Sequence, residues 1–341
     1  MNAMVLLGER VTSRRWGVRA TVLVAALVAL VAVVVLSIAF GSNRLPLGSV
    51  WHALFSYRGT FEDVVIRDDR LPRTLLGLAV GVGLGLAGAL LQAITRNPVA
   101  DPGLLGINHG AAVAIVLGGA VFSVSSPQQL VWFAFFGALA GTVLVTVIGG
   151  SVSPLRLVLA GVAVQAVFVG INQGMQMINT HSLDQMRYWL VGSLVNRNLD
   201  SLAGLLPFFL IAVVLAGVLA RPLNAVALGD DSARGLGANP ALTRAVGMIA
   251  VGLLSATATA ACGPIAFVGL MIPHVVRALV GQDERWVLPL SALLGPVLLL
   301  GCDVLGRLLG GNGEIQVGLM TDVIGGVAFV IVARRLKAVR R

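Results

Sequence analysis

The sequence predicts an all-α, polytopic membrane protein with ten transmembrane helices, and three observations predict it. Hydrophobic residues make up 57% of the 341-residue chain and charged residues only 11%, whereas a soluble domain carries about a quarter of its residues charged. Such a composition cannot build a water-facing surface. Apolar runs able to cross a hydrocarbon core of roughly 30 Å recur ten times. Laid across a bilayer in alternation, these runs also sort the basic residues to one side.

The first run, 20–40, follows Arg10, Arg14, Arg15 and Arg19. Those arginines resemble the basic region of a signal peptide, but the run is about twenty residues long and lacks a clear small-residue cleavage site, so it reads as a span. The others are 74–95, 103–122, 128–149, 156–178, 202–220, 245–262, 264–280, 287–304 and 317–333. The run 264–280 is short, contains Pro264 and Pro273, and reads either as a span or as re-entrant. An even number of spans puts both termini on one side. The tail residues Arg334, Arg335, Lys337, Arg340 and Arg341 match the basic N-terminus, which makes that side cytoplasmic under the positive-inside rule.

With this topology 16 of the 24 Lys and Arg residues fall inside and 8 outside. The net charge of +9 is therefore a topological signal, with no soluble basic domain to bind nucleic acid. Cys262 and Cys302 fall near outer helix ends and read as small buried residues, with their pairing open.

The chain reads as one transmembrane domain over 1–341 with three substantial segments outside the lipid. Segment 41–73 is external and ends in Arg70 and Arg73 where the second span begins. Segment 179–201 is external too, and its DQMRYWLVGSL stretch reads as an interfacial amphipathic helix anchored by Tyr188 and Trp189. Segment 222–244 is the one long cytoplasmic loop. Its centre, Asp230-Asp231-Ser232-Ala233-Arg234-Gly235-Leu236-Gly237, has acids leading and glycines following, which suits a short helix with favourable N-terminal charge and a Gly stop. This reads as a handle for a partner or as a solvated connector. Leu228 and Leu236 argue for the handle, because a surface loop has nothing of its own for them to pack on.

With one lysine, Lys337, the chain holds no G-x-x-x-x-G-K-[ST] phosphate loop, so any ATP-driven step falls to another subunit. There is no H-E-x-x-H, and His52, His109, His181 and His274 are scattered, which argues against an intramembrane enzyme.

Inside the spans, Gly77, Gly81 and Gly85 recur every fourth residue and give the second span a smooth face for a close neighbour. In the fifth span Gln165, Asn172, Gln176 and Asn179 share a face, which lines either a water-filled path or a helix contact. Asp322 is the one ionisable group well inside the hydrocarbon. It is a functional candidate by default, with a neutral, protonated packing residue as the alternative.

These residues carry a family resemblance. Arg70-Leu71-Pro72-Arg73-Thr74, GLAGALLQAITRNPVADPGLLGINHGA (85–111), ALGDDSARGLG (227–237), GPIAFVGLMIPHVVRALVGQDERWVLP (263–289) and CDVLGR (302–307) resemble the FecCD/BtuC-type permease family. That family imports iron siderophores, haem and vitamin B12 in ATP-binding-cassette systems. The resemblance runs from about residue 20 to 335. SSPQQL (125–130), SPLRLVLAGVA (153–163) and DQMRYWLVGSLVNRNLDSL (184–202) look most like the permease half of ferric-enterobactin importers, which points to a catecholate-type or related ferric siderophore.

The resemblance implies a type II ABC importer permease in the bacterial cytoplasmic membrane. Its implied partners are a second permease, a sister chain favoured over an identical copy, two cytoplasmic ATPases holding ATP and Mg, and an external siderophore-binding protein. The chain itself would bind no cofactor. The segment Leu228, Gly229, Asp230, Asp231, Ala233, Arg234, Leu236 and Gly237 would be the coupling helix seated in the ATPase, with Asp230, Asp231, Arg234 and Leu236 as contacts. Arg70, Arg73 and Arg307 would meet acidic residues of the binding protein, each exposed ion pair giving about 0.2–1 kcal/mol. The alternative, pairing with Asp68, Asp69, Asp303 or Glu314 of the same chain, suits one of them better than all three. The fifth and tenth spans would line a wide, weakly binding path through Gln165, Asn172, Gln176 and Asp322. The chain departs from the family around the tenth span, with Gln316 where Pro is usual, Gly326-Val327 where Gly-Pro is common, and Asp322 at a position usually small and neutral. A proton-coupled secondary transporter using Asp322 is the competing function.

Overall fold

The structure, a computed structural model, describes residues 2–41, 46–124, 126–150, 154–178, 189–195, 199–310 and 313–339. Every expected apolar run is helical: α1 (Asn2–Ala39), α4 (Leu71–Thr95), α5 (Ile107–Phe122), α6 (Pro127–Gly149), α7 (Pro154–Ile178), α8 (Leu199–Ala227), α10 (Pro240–Cys262), α11 (Val268–Val280), α12 (Glu284–Leu309) and α13 (Val317–Val339). Three short helices lie between them, α2 (Leu47–Phe55), α3 (Phe61–Val64) and α9 (Asp230–Gly235), and no strand occurs among the described residues. Among the described residues seven of the long helices meet the length and hydropathy needed to cross a membrane; α5, α11 and the apolar part of α13, Val317–Ile331, bring the apolar helices to ten.

Helix α4 is the hub, packed against α12, α10, α11 and α8, while α1 leans on α12 and α5 pairs with α6. In α4 and α10, 78% of the apolar window is buried within the chain, against 28% in α1 and α7 and 22% in α8. The outer helices must therefore complete their apolar contacts with lipid or another subunit. The glycine face of α4 is where this core closes: a Cβ on Gly81 would overlap the backbone of Pro296 in α12, and one on Gly88 the backbone of Gly269 in α11. Small residues let the helices touch backbone to backbone, the contact that holds helices together when lipid is as apolar as leucine.

The structure refines four boundaries. The sixth run extends through Pro222 to Ala227 and α10 begins at Pro240, so of the 222–244 loop only residues 228–239, centred on α9, stand outside these helices. Within segment 41–73, expected to be external, the described residues from 46 onward are structured: α2, α3 and a π-helical turn (Val65–Arg70) lead directly into α4. The run 264–280 becomes an extended stretch followed by the 13-residue α11. At about 1.5 Å per residue this helix by itself is shorter than the roughly 30 Å hydrocarbon, which fits the broken or re-entrant span that the two prolines of the run suggest. Trp189, expected as an interfacial anchor, is instead 8% exposed and packs in the core. Its segment hydrogen-bonds to the ends of two helices, through Ser193 N–H to Cys262 O at 2.7 Å and Gly318 N–H to Gly192 O at 3.1 Å. Tyr188, Asn179 and the stretch 179–188 lie outside the described residues. No disulfide joins Cys262 and Cys302; both are buried, and the Cys262 thiol donates to Ala258 O.

Candidate functional site

At one end of the bundle the starts of α10 and α12 meet the ends of α4, α8 and α11, and α9 sits on this face. Gly229, at φ 108°, turns the chain into α9 through a conformation that favours glycine. Gly237, at φ 80°, follows its end. Asp230 and Asp231 open the helix, where the unpaired N–H groups favour negative charge. The short helix read from acids and glycines is thus present, and its two faces differ. Leu228 and Leu236 are each 66% exposed, and Asp231 pairs with Arg234 at 2.8 Å in full contact with solvent. Ala233 is buried beneath them.

Asp230, expected as an outward contact, points back at the bundle. Its carboxylate accepts from Arg244 Nη1 at 2.8 Å and Nη2 at 2.6 Å, and from Arg96 Nη2 at 2.9 Å. Arg244 belongs to α10. Arg96 is the left-handed residue (φ 49°) that terminates α4, and it also donates to Val226 O in the last turn of α8. The hydrogen bonds from Arg244, with the charges of Arg244 and Arg96, overcome partial desolvation and hold the Asp230 carboxyl down at about 2.

A second polar network lies at the same end. Arg277 of α11 donates to Gln92 Oε1 at 2.6 Å, Ala89 O at 3.2 Å and Glu284 Oε1 at 2.9 Å. Gln92 in turn donates to Leu270 O at 3.1 Å, tying α4 to α11. Asn224 of α8 bridges to Asp283 Oδ1 at 2.7 Å and accepts from Glu284 N–H at 2.9 Å. Burial pushes the Asp283 carboxyl up, but hydrogen bonds from Arg285 and Asn224 outweigh it and leave the group below its ordinary range.

At the opposite end, Arg70, Arg73 and Arg307 were expected to face a partner. The structure turns all three inward, at 3%, 5% and 5% exposure. Arg73 grips Asp303 through Nε at 3.1 Å and Nη2 at 2.7 Å, and reaches Glu314 through Nη1 at 2.6 Å. Arg307 pairs with Asp303 Oδ2 at 2.9 Å, the oxygen that also accepts from Arg73 Nε. It also donates to Ser37 O and Phe40 O at the end of α1, while Arg70 donates to Ile38 O and Ala39 O. The physical reason is the unpaired carbonyls that end every helix. Two guanidinium groups satisfy those of α1, and the cluster fastens α1 to α4 and α12. The charges that reach solvent beside it are Arg58, Arg67, Asp68 and Asp69.

The residues expected to line a path divide. Gln165 donates to Gly103 O at 3.0 Å, which makes it a helix contact within the chain. Asn172 is 6% exposed with its Oδ1 unpartnered among the described residues, and Gln176 is half-buried. The open face of α7 carries large apolar residues, among them Leu159, Val162, Val167 and Met177, together with Gly170 and Gly174, where an added Cβ would meet nothing within 4 Å. Asp322 is exposed on α13, where no ion pair or hydrogen bond is formed among the described residues. A bare carboxylate on a hydrocarbon-facing helix needs water or another subunit over it.

Sequence reading missed Gln92, Arg96, Arg244 and Arg277. The signal lay within stretches already picked out, ALLQAITRNP for Gln92 and Arg96, PHVVRALVG for Arg277 and the end of the 222–244 segment for Arg244, as polar residues at helix ends with nothing local to bind.

The profile of the FecCD transport family matches residues 29–335. The chain is 45% identical over 313 residues to the ferric enterobactin transport system permease protein FepD of Escherichia coli (strain K12), covering 91% of this chain and 93% of that one. It is 37% identical over 324 residues to the Fe(3+)-citrate import system permease protein YfmD of Bacillus subtilis (strain 168), covering 94% and 97%. Among solved structures it is similar to a metal-chelate type ABC transporter in an inward-facing conformation, with a TM-score of 0.81 and 29% identity over 92% of this chain and 99% of that one. A matching profile over nearly the whole chain, ten apolar helices and this structural likeness lead to one statement: the chain belongs to the FecCD transport family.

Proposed function

We propose that this protein is the permease subunit of an ATP-driven importer that carries a ferric siderophore, of the catecholate or a related type, across the bacterial cytoplasmic membrane. The observation that carries the reading is the two-sided α9, whose exposed Leu228, Asp231, Arg234 and Leu236 stand at the basic end of the bundle over an anchored inner face. Exposed leucines on a loop helix fit a cleft in a partner, and the lack of a phosphate loop in this chain assigns ATP and Mg to that partner. Two such ATPases, a second permease chain, with a sister favoured over a copy, and an external binding protein complete the assembly. Both termini then lie in the cytoplasm, where the basic residues concentrate.

In this reading Arg70, Arg73 and Arg307 support the rim that receives the binding protein. Direct contacts fall to the exposed charges beside them, Arg58, Arg67, Asp68 and Asp69. The translocation path belongs to the open faces of α7 and α13, which one chain leaves uncovered. Asp322 faces that path or the second permease, and Asp322→Asn is expected to change uptake or complex stability. Identity with wild type at every pH would remove Asp322 from the mechanism.

The test is co-purification. An Asp231→Ala, Arg234→Ala, Leu236→Ala variant is expected to lose the ATPase that travels with the tagged wild-type chain. A partner retained in full by the variant would overturn the assignment of α9.

A further inference from the structure

The short helix α9 is poorly placed to move anything by its backbone. Gly229 and Gly237, both at positive φ, flank it. A Cβ on either of them or on Gly235 would meet nothing within 4 Å, and their backbone bonds are short-range, Gly229 N–H to Val226 O at 3.1 Å and Gly237 N–H to Arg234 O at 3.0 Å. The Asp231–Arg234 pair is internal to α9 and fixes it to nothing. What ties α9 to the bundle through its side chains is the buried Ala233 and the three hydrogen bonds of Asp230.

We infer that Asp230 is a positioning residue which, through Arg96 and Arg244, makes α9 one mechanical piece with the ends of α4, α8 and α10. This rests on the reading of α9 as the ATPase-facing helix and adds the route by which its displacement enters the bundle. Arg244 is only 12% exposed on α10 and holds both carboxylate oxygens, a fork geometry that resists rotation as well as separation. Arg96 joins three elements at once, ending α4, donating to Val226 O of α8 and pairing with Asp230. Helix α4 is the hub, in backbone contact with α12 and α11 through Gly81 and Gly88. A stroke on α9 therefore reaches the centre of the bundle in two contacts, carboxylate to guanidinium and glycine face to helix. Without the clamp, the hinge glycines would absorb it.

The experiment uses the complete complex in proteoliposomes, with ferric enterobactin as the probe, and reads cargo moved per ATP hydrolysed together with the amount of ATPase bound. Asp230→Asn keeps the shape and removes the charge that holds both arginines. It is expected to retain the ATPase and to lower cargo per ATP by roughly tenfold, the size of a typical coupling between sites. Asp230→Glu, which keeps the charge, is expected to restore most of the ratio, a rescue that a role in folding alone would not produce selectively in this ratio. An unchanged ratio in Asp230→Asn overturns the proposal. So does loss of the ATPase from that variant, which would make Asp230 a contact. If Asp230→Asn does not fold and accumulate in the membrane, Arg96→Gln and Arg244→Gln are each expected to lower the ratio severalfold, and no drop in either overturns the clamp. Absence of any ATPase from the wild-type preparation would instead refute the function proposed above.

Discussion

The two ends of this protein use the same device, an aspartate held between two arginines, in opposite surroundings. At the rim, Asp303 is 0% exposed and lies between Arg73 and Arg307, themselves 4% and 3% exposed at the side chain. At the α9 face, Asp230 is 34% exposed between Arg96 at 42% and Arg244 at 12%. Removing one partner of a buried pair strands a charge away from water, whereas an exposed pair exchanges its partner for solvent at little cost. The difference teaches that similar geometry fastens the fold at one end and sets an orientation at the other.

The sharpest way to break this comparison is Asp303→Asn, which would leave the buried Arg307 without a carboxylate and Arg73 with Glu314 alone. A loss of about 3–5 kcal/mol is expected from thermal unfolding of the purified protein. A midpoint equal to that of wild type would mean that the rim is as wet as the α9 face. Arg307→Lys is expected to come next. An ammonium group cannot reproduce a fork that reaches Asp303, Ser37 and Phe40 together, and about 1–3 kcal/mol should go with the hydrogen bonds left unmade.

The misreading of the rim shows what sequence can supply. Helices were legible because hydropathy alone determines what can cross a bilayer, and the glycine face of α4 was legible because its spacing is helical. The arginines at 70, 73 and 307 stood out because the positive-inside count puts them with the basic minority. Asp303, one turn before Arg307, was legible as a partner in the same chain, but the carbonyls ending α1 and the 230 residues between Arg73 and Asp303 leave no local pattern that turns all three arginines inward. The same applies to α9. Its acids and glycines predicted the helix, but Arg96 lies 134 residues from Asp230, so nothing nearby distinguished an inward Asp230 from an outward Asp231. Gln165 failed for a related reason, since a shared polar face does not say whether it meets water or the carbonyl of Gly103.

A smaller effect separates the ends again. Arg244→Lys is expected to leave the unfolding midpoint close to that of wild type while lowering cargo moved per ATP; a large thermal loss would make the α9 clamp a second fold fastener. Smallest of all is the response to pH. The Asp230 carboxyl, lowered from 3.8 to about 2, supplies its contribution in full above its ordinary range and loses it only as pH falls through about 2. Between pH 5 and 8 the cargo-to-ATP ratio should not change through this group. A decline across that window in wild type that is absent from Asp230→Asn would contradict the clamp as described.

The most direct measurement of the central claim is uptake of ferric enterobactin into proteoliposomes containing either this chain alone or the chain with its second permease, ATPases and binding protein. Uptake is expected only from the complete set, only with ATP, and without dependence on a proton gradient. Accumulation by the chain alone, driven by a proton gradient and abolished in Asp322→Asn, would contradict the account and make this protein a self-sufficient secondary transporter.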